Sequence, residues 1–220
     1  MDESTSREKI LKKVRAALIN KSRQEPSPVD LESNVFESPS DSIELVFAQQ
    51  FSDAGGQFVF CENEEEFAYN IGALIADGSF GKIWCAEKEC QELLSQAGLK
   101  FLSKEKDIAS AQTSLTGCEF LIARTGSALV SSRQASGRKG HVFPDSHIIV
   151  AKTSQLVMHV KDALREMRNR YPSGLPGMLT MITGPSRTAD IEKTLVQGVH
   201  GPKEIYVFLI DDVPQENVQE

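Results

Sequence analysis

From residue 42 onward, stretches with apolar residues at every third or fourth position alternate with short unbroken apolar runs. The first spacing is that of a helix with one buried stripe, and the second is that of a buried strand. Helices are predicted over 42–54, stopped by Gly55-Gly56, over 64–76, whose first turn is acidic, and over 88–97, followed by Gly98. Strands are predicted at 57–61 (QFVFC), 82–86 (KIWCA) and 99–102. A weaker helix follows over 108–115; then EFLIARTGSALVSS, 119–132, places two apolar runs either side of Thr125-Gly126-Ser127, a hairpin signal. Beyond a polar, glycine-containing loop at 136–144 come a strand at 147–151 (HIIVA), the longest helix over 153–170, a strand at 178–182, a helix over 188–197 and a last strand at 204–210 (EIYVFLI). This alternation predicts an α/β fold with a mostly parallel sheet covered by helices on both faces, plus one antiparallel hairpin.

The amino-terminal stretch reads differently. Ile10, Leu11, Val14, Ala17 and Leu18 fall at helical spacing among basic residues, predicting a short amphipathic helix over 6–19 that packs on the domain or on a partner chain. Residues 20–40 are polar, carry Pro26, Pro28 and Pro39, and have no periodicity, which is the composition of a linker. The expected organisation is therefore an amino-terminal helix and linker over 1–40 and one α/β domain over 41–220.

Composition narrows the function. With 220 residues, 40% hydrophobic and 25% charged, the chain matches a globular domain with one core. A net charge of -7 gives no global attraction to nucleic acid or to an acidic membrane surface. No apolar run suits a signal peptide or a membrane span, so the expected location is cytoplasmic, without membrane insertion. Cys61, Cys85, Cys90 and Cys118 form no CxxC pair and lie at no metal-ligand spacing from a histidine, so no metal or cofactor is expected in this chain. Cys61, Cys85 and Cys118 sit in or beside apolar runs and read as buried thiols.

In an open α/β sheet, ligands collect outside the carboxyl ends of the strands, so the loops matter most. Three are unusual: 124–127, 183–190 and 198–202. In TGPSRTAD, Gly184 allows a tight exit from the strand, Pro185 fixes φ, and Ser186 or Thr188 can cap the predicted helix. Free N–H groups at such a helix start bind phosphate or carboxylate, and Arg187 adds a guanidinium fork. The same residues also suit an ordinary capped helix, with Asp190 supporting its dipole. Thr125, Gly126 and Ser127 offer hydroxyl and backbone donors to the same ligand, or serve simply as turn residues. His147, beside an apolar strand, and His200, in GVHGP, are further candidates for binding or for purely structural roles; His141 flanks the former. No serine has a base at motif spacing, and neither a P-loop nor a dinucleotide-binding glycine motif is present, so no residue is assigned a catalytic role.

Taken in order, ARTGSALVSS, FPDSHIIVAKTSQLV, ITGPSRTADIEKTLVQGVHGP and EIYVFLID resemble the LUD-domain family, in its lactate utilisation protein C branch, across residues 42–211. The resemblance implies a three-layer α/β/α sandwich similar to the sugar-phosphate isomerase and CoA-transferase superfamily. It also implies a non-redox subunit that works with iron-sulfur partner proteins in oxidising L-lactate to pyruvate, the clusters residing in those partners, and that binds a small organic acid or phosphate. Two positions depart from the family pattern: Arg124 stands where an acidic residue is usual, and 133–139 is more basic. Nothing matches the catalytic glutamate region of CoA-transferases, so acyl transfer does not follow from the fold. Two readings remain beside the subunit role: a stand-alone enzyme or binding protein for a sugar phosphate or CoA thioester, and a purely structural scaffold.

Overall fold

A computed structural model of the chain describes residues 5–19, 41–76, 80–189, 195–198 and 200–212. The chain divides into two compact units, Met1–Ser38 and Pro39–Glu220. In the first unit, helix α1 (Ser6–Ile19) exposes Ile10, Leu11, Val14 and Ile19. The linker expected at 20–40 lies outside the described residues.

The second unit starts with α2 (Ile43–Asp53), capped by Ser42, whose Oγ accepts from the Leu45 N–H. Phe47 and Phe51, one helical turn apart, are fully buried and stacked at 5.4 Å. Each such ring contributes about 1.5–3 kcal/mol by leaving water. Then come β1 (Gln57–Cys61), α3 (Glu64–Ile75), β2 (Ile83–Trp84), α4 (Lys88–Gln96) and β3 (Phe101–Leu102). The start of α3 closes on itself: Asn63 accepts from the Glu66 N–H, and Glu66 reaches back to the Glu62 N–H. Next are β4 (Thr113–Thr116), β5 (Phe120–Ile122), β6 (Ser127–Ser131), β7 (Ser146–Lys152), β8 (Leu156–Val157), α5 (Val160–Arg170), β9 (Leu179–Ile182), β10 (Arg187–Ala189), β11 (Leu195–Gln197) and β12 (Glu204–Ile210).

Six strands form the central sheet in the order β1-β12-β7-β4-β2-β3, with every pairing parallel. One face of it buries Phe67, Ile71, Leu94, Ile148 and Phe208 with α3 and α4; the other buries Phe47, Phe51, Ile149, Val207 and Leu209 with α2. This is the three-layer α/β/α arrangement around a mostly parallel sheet.

The predicted hairpin is β5–β6, in register Phe120 opposite Leu129 and Ile122 opposite Ser127. It is the middle of a four-stranded sheet, β8-β5-β6-β9, rather than an isolated ribbon. Helix α5 packs on that sheet through Ala163 and Met167.

Three predicted helices are corrected. Over 108–115, a 3-10 turn (Glu105–Ser110) gives way to β4, because this segment pairs between β2 and β7 with all four residues buried; Thr113 Oγ1 donates to the Phe80 carbonyl at 2.6 Å. Over 153–170, only α5 is α-helical: Thr153 and Ser154 are held by Asp212, and Leu156-Val157 pairs with Leu121-Ile122 as β8. Over 188–197, β10 and β11 pair antiparallel, with Thr188 opposite Val196, a β-branched pairing that suits a ladder better than a helix. Residues 190–194, including the expected helix-supporting Asp190, lie outside the described residues.

Candidate functional site

The structure brings the TGS and TGP segments together. Ser127 Oγ lies 2.7 Å from Thr183 Oγ1 and 2.8 Å from Thr125 Oγ1. The place where they meet is filled by protein. Gly126 (φ +54) and Gly184 (φ +71) lie against the last turn of α2, where a Cβ would come within 2.4 Å of Phe51 N and 2.3 Å of Ala54 O respectively. Pro185 is buried beside them, and the Ser186 backbone is tied to Pro202 and Gly198. Arg187 Nη2 donates to the Ala54 carbonyl at 2.9 Å.

The helix start that was to hold an anion here is therefore replaced by a strand, with Thr188 in it. The helix end present is the carboxyl end of α2, whose dipole favours the cation that Arg187 supplies. His200 is exposed in its turn, and His147 is buried in the central sheet.

An open crevice lies elsewhere, at the carboxyl ends of the parallel strands. The chain leaving β2 passes through α4 to β3 on one side, whereas the chain leaving β4 continues to β7 on the other. Neighbouring strands whose connections diverge in this way open a ligand crevice between their ends. A cavity of about 440 Å³ occupies this position, lined among others by Glu87 and Lys88 after β2, Gly117 and Cys118 after β4, Lys152 at the end of β7 and Gln155 beyond it. Its volume suits a small-molecule site.

Glu87 organises the crevice. Its carboxylate accepts from the Gly117 N–H, from Ser136 Oγ at 2.6 Å and from the Cys90 thiol at 3.7 Å. One side chain thus joins the start of α4, the exit of β4 and the 132–145 loop. Glu64, Glu89 and Glu92 add carboxylates and Lys88 and Lys152 add ammonium groups, so the cavity carries both signs of charge. The Cys85 thiol and burial push the Cys90 pKa up; burial, then the Glu87 charge, pushes Cys118 up. Both remain thiols near neutral pH, and all four cysteines are free and buried. Among the described residues, no group of three or more His, Cys, Asp or Glu side chains has metal-binding geometry.

Next to the crevice, the 132–145 loop lies flat on the sheet. A Cβ at Gly140 would come within 2.9 Å of the Trp84 ring, and the loop carries His141 inward, its ring 5.3 Å from that of His147. Burial lowers the pKa of His141 to about 4; burial and then the neighbouring His141 hold His147 well below the usual range. Both rings are neutral at physiological pH. On the second sheet, buried Glu119 receives Ser131 Oγ at 2.6 Å, Arg170 Nη1 at 2.7 Å and Tyr171 Oη at 2.8 Å, fastening α5 to β5 and β6.

Sequence reasoning missed Glu87, Gly117 and Glu119. The rule that ligands gather after strands pointed to the right end of the sheet, and Ala86-Glu87 and Thr116-Gly117 both follow strands. The Gly-Pro and Thr-Gly-Ser turns drew attention first because their residue types are unusual.

The family model for the LUD domain matches residues 45–210. A lactate utilization protein C from Geobacillus thermodenitrificans is 28% identical over 187 residues, covering 82% of this chain and 74% of that protein. One from Deinococcus radiodurans is 34% identical over 105 residues, covering 47% of this chain and 49% of that protein. The crystal structure of a DUF162 family protein from Deinococcus radiodurans superposes with a TM-score of 0.55 at 21% identity, covering 76% of this chain and 96% of that one, and so shares the fold. The chain belongs to the LUD domain family.

Proposed function

We propose that this chain acts in lactate utilisation as a non-redox subunit beside iron-sulfur partner proteins, holding a small organic acid in the crevice between β2 and β4. The role is supported by membership of the LUD domain family together with relatives named lactate utilization protein C. The observation that favours the crevice over the 183–190 loop is the cavity at the point where the β2 and β4 connections diverge. Lys88 and Lys152 suit a ligand carboxylate, and the glutamates suit a hydroxyl that donates. A 2-hydroxy acid carries both groups. No acid-base step is assigned.

Deleting the gene tests the role. Growth on L-lactate should fail and return on complementation, and a tagged chain should copurify with iron-sulfur proteins from lactate-grown cells. Unimpaired growth on L-lactate overturns the reading. A second reading, a stand-alone binding protein or enzyme for a sugar phosphate or CoA thioester, is favoured by the same cavity volume. It predicts that the isolated chain is stabilised thermally by ribose 5-phosphate or acetyl-CoA and not by L-lactate.

A further inference from the structure

Beneath the 132–145 loop, four buried polar atoms have no partner among the described residues: Ser114 Oγ, His147 Nδ1 and both ring nitrogens of His141. Ser114 and His147 are directly opposite on β4 and β7, so they share one face of the sheet, and both are fully buried. His141 comes down from the loop onto the same histidine. An unsatisfied buried polar group is costly, and native proteins keep few of them. Several together call for an occupant that completes their hydrogen bonds.

The bonds already made define what is missing. Thr116 Oγ1 lies 3.0 Å from the Gly117 carbonyl and 2.9 Å from His147 Nε2, and when its one proton goes to the carbonyl it accepts from Nε2. In that arrangement His147 carries its proton on Nε2, and Nδ1 is a bare acceptor. His141, also neutral, has one N–H and one bare nitrogen, and Ser114 has an O–H to give. The occupant must donate to two bare nitrogens and accept from an N–H and an O–H.

We propose that Ser114, His141 and His147 form a binding site for an uncharged, hydroxyl-bearing small molecule, a vicinal diol or larger polyol, enclosed by the 132–145 loop. A hydroxyl both donates and accepts, and two adjacent ones meet all four requirements. A carboxylate has no proton for the bare nitrogens, and a phosphate, which keeps one, would, like the carboxylate, lose its hydration against neutral rings. An ammonium group cannot accept. Side-chain tethers hold the loop down, among them Ser136 to Glu87 at 2.6 Å, Lys139 to Glu105 at 2.7 Å and Asp145 to Lys203 at 3.2 Å, and the loop must lift for the site to load. The site is separate from the proposed lactate role and stands or falls independently of it.

Long-range proton-nitrogen NMR of the full-length 15N-labelled chain tests this, with glycerol and inorganic phosphate as probes. His147 should report the Nε2–H tautomer. Glycerol should shift the His141 and His147 nitrogen resonances along a saturable curve, with affinity about three- to tenfold weaker in Ser114→Ala, the loss expected for one neutral hydrogen bond. Phosphate should leave those resonances in place. Shifts that grow linearly with glycerol and are equal in both proteins mean that water alone fills the site, and overturn the proposal. A saturable response to phosphate overturns the assigned chemistry. Ser114→Ala removes one oxygen from a position with no bond to lose; should it nevertheless fail to fold, the wild-type curve and the tautomer still decide the matter.

Discussion

The joint at the end of α2 and the crevice between β2 and β4 use similar materials: small residues, hydroxyls and a charged side chain that reaches across to another segment. They differ in what surrounds that charge. Arg187 sits at the carboxyl end of a helix and donates to the Ala54 carbonyl, with two glycines pressed against helix backbone. Glu87 sits where two strand connections part, and the space beside it is open. A turn rich in glycine and proline is thus a record of close approach, and only the topology says whether the approaching group is a ligand or another part of the chain.

The sharpest way to break this contrast is to add one methyl group. Gly126→Ala or Gly184→Ala combines a strained positive φ with a collision against α2 backbone, so each should cost about 3 kcal/mol or more in urea unfolding. Gly98→Ala, with φ +69 and open space around it, should cost only the conformational strain, about 1 kcal/mol. If Gly126→Ala were as mild as Gly98→Ala, the joint would not be packed as described, and a ligand there would again be admissible.

Acid should separate the two regions. His141 keeps a pKa of about 4 when folded against an ordinary 6.5, because burial disfavours its charge. Below pH 6.5 the unfolded chain gains a proton that the folded chain does not, so stability falls as pH drops toward the folded pKa. The loss reaches about 2 kcal/mol by pH 5. His147, shifted in the same direction, adds to it. Unfolding measured between pH 7 and pH 5 should show this slope, and His141→Phe should flatten it. Amide exchange should rise first in 132–145, since that loop covers both rings. An earlier rise at 183–187 would place the acid sensitivity in the joint instead.

Much of the fold was legible from pattern alone, and the exceptions share a cause. Strands β7 and β12 are unbroken apolar runs with both faces buried, and α2 shows its helical spacing at Phe47 and Phe51, its cap at Ser42 and its stop at Gly55. Strand β4, by contrast, is TSLT: it is polar by composition yet buried, because the strands that flank it come from elsewhere in the chain, so no local pattern marks it. Residues 188–197 have helix-like apolar spacing, yet their β-branched residues pair across a ladder instead. Glu87 was illegible for the same reason as β4, since Gly117 and Ser136 lie 30 and 49 positions away. The candidate site is written in separations that a linear reading does not see.

Glu87→Ala probes that long-range junction. It leaves the Gly117 N–H and the Ser136 hydroxyl without their acceptor, which should cost about 1–2 kcal/mol, less than the glycine changes because water can enter the open crevice. Its signature should be local: hydrogen exchange in 132–145 should accelerate while the turns at 125–127 and 183–187 keep wild-type protection. Uniform acceleration would mean that Glu87 supports the whole domain rather than the loop and crevice.

Arg187→Ala should have the smallest effect and is the most informative about the choice of site. The side chain is exposed and makes one hydrogen bond to Ala54 O, so its loss should cost well under about 1 kcal/mol. If the ligand sits in the crevice, Lys152→Ala should weaken binding of L-lactate or another small 2-hydroxy acid, measured by calorimetry, and Arg187→Ala should leave it unchanged. The opposite result would return the anion site to the 183–190 loop, because an arginine that contributes nothing to folding yet governs affinity must be in contact with the ligand. The pair of variants therefore tests position directly: both charges are cations on the same domain, and long-range attraction alone would make them equivalent.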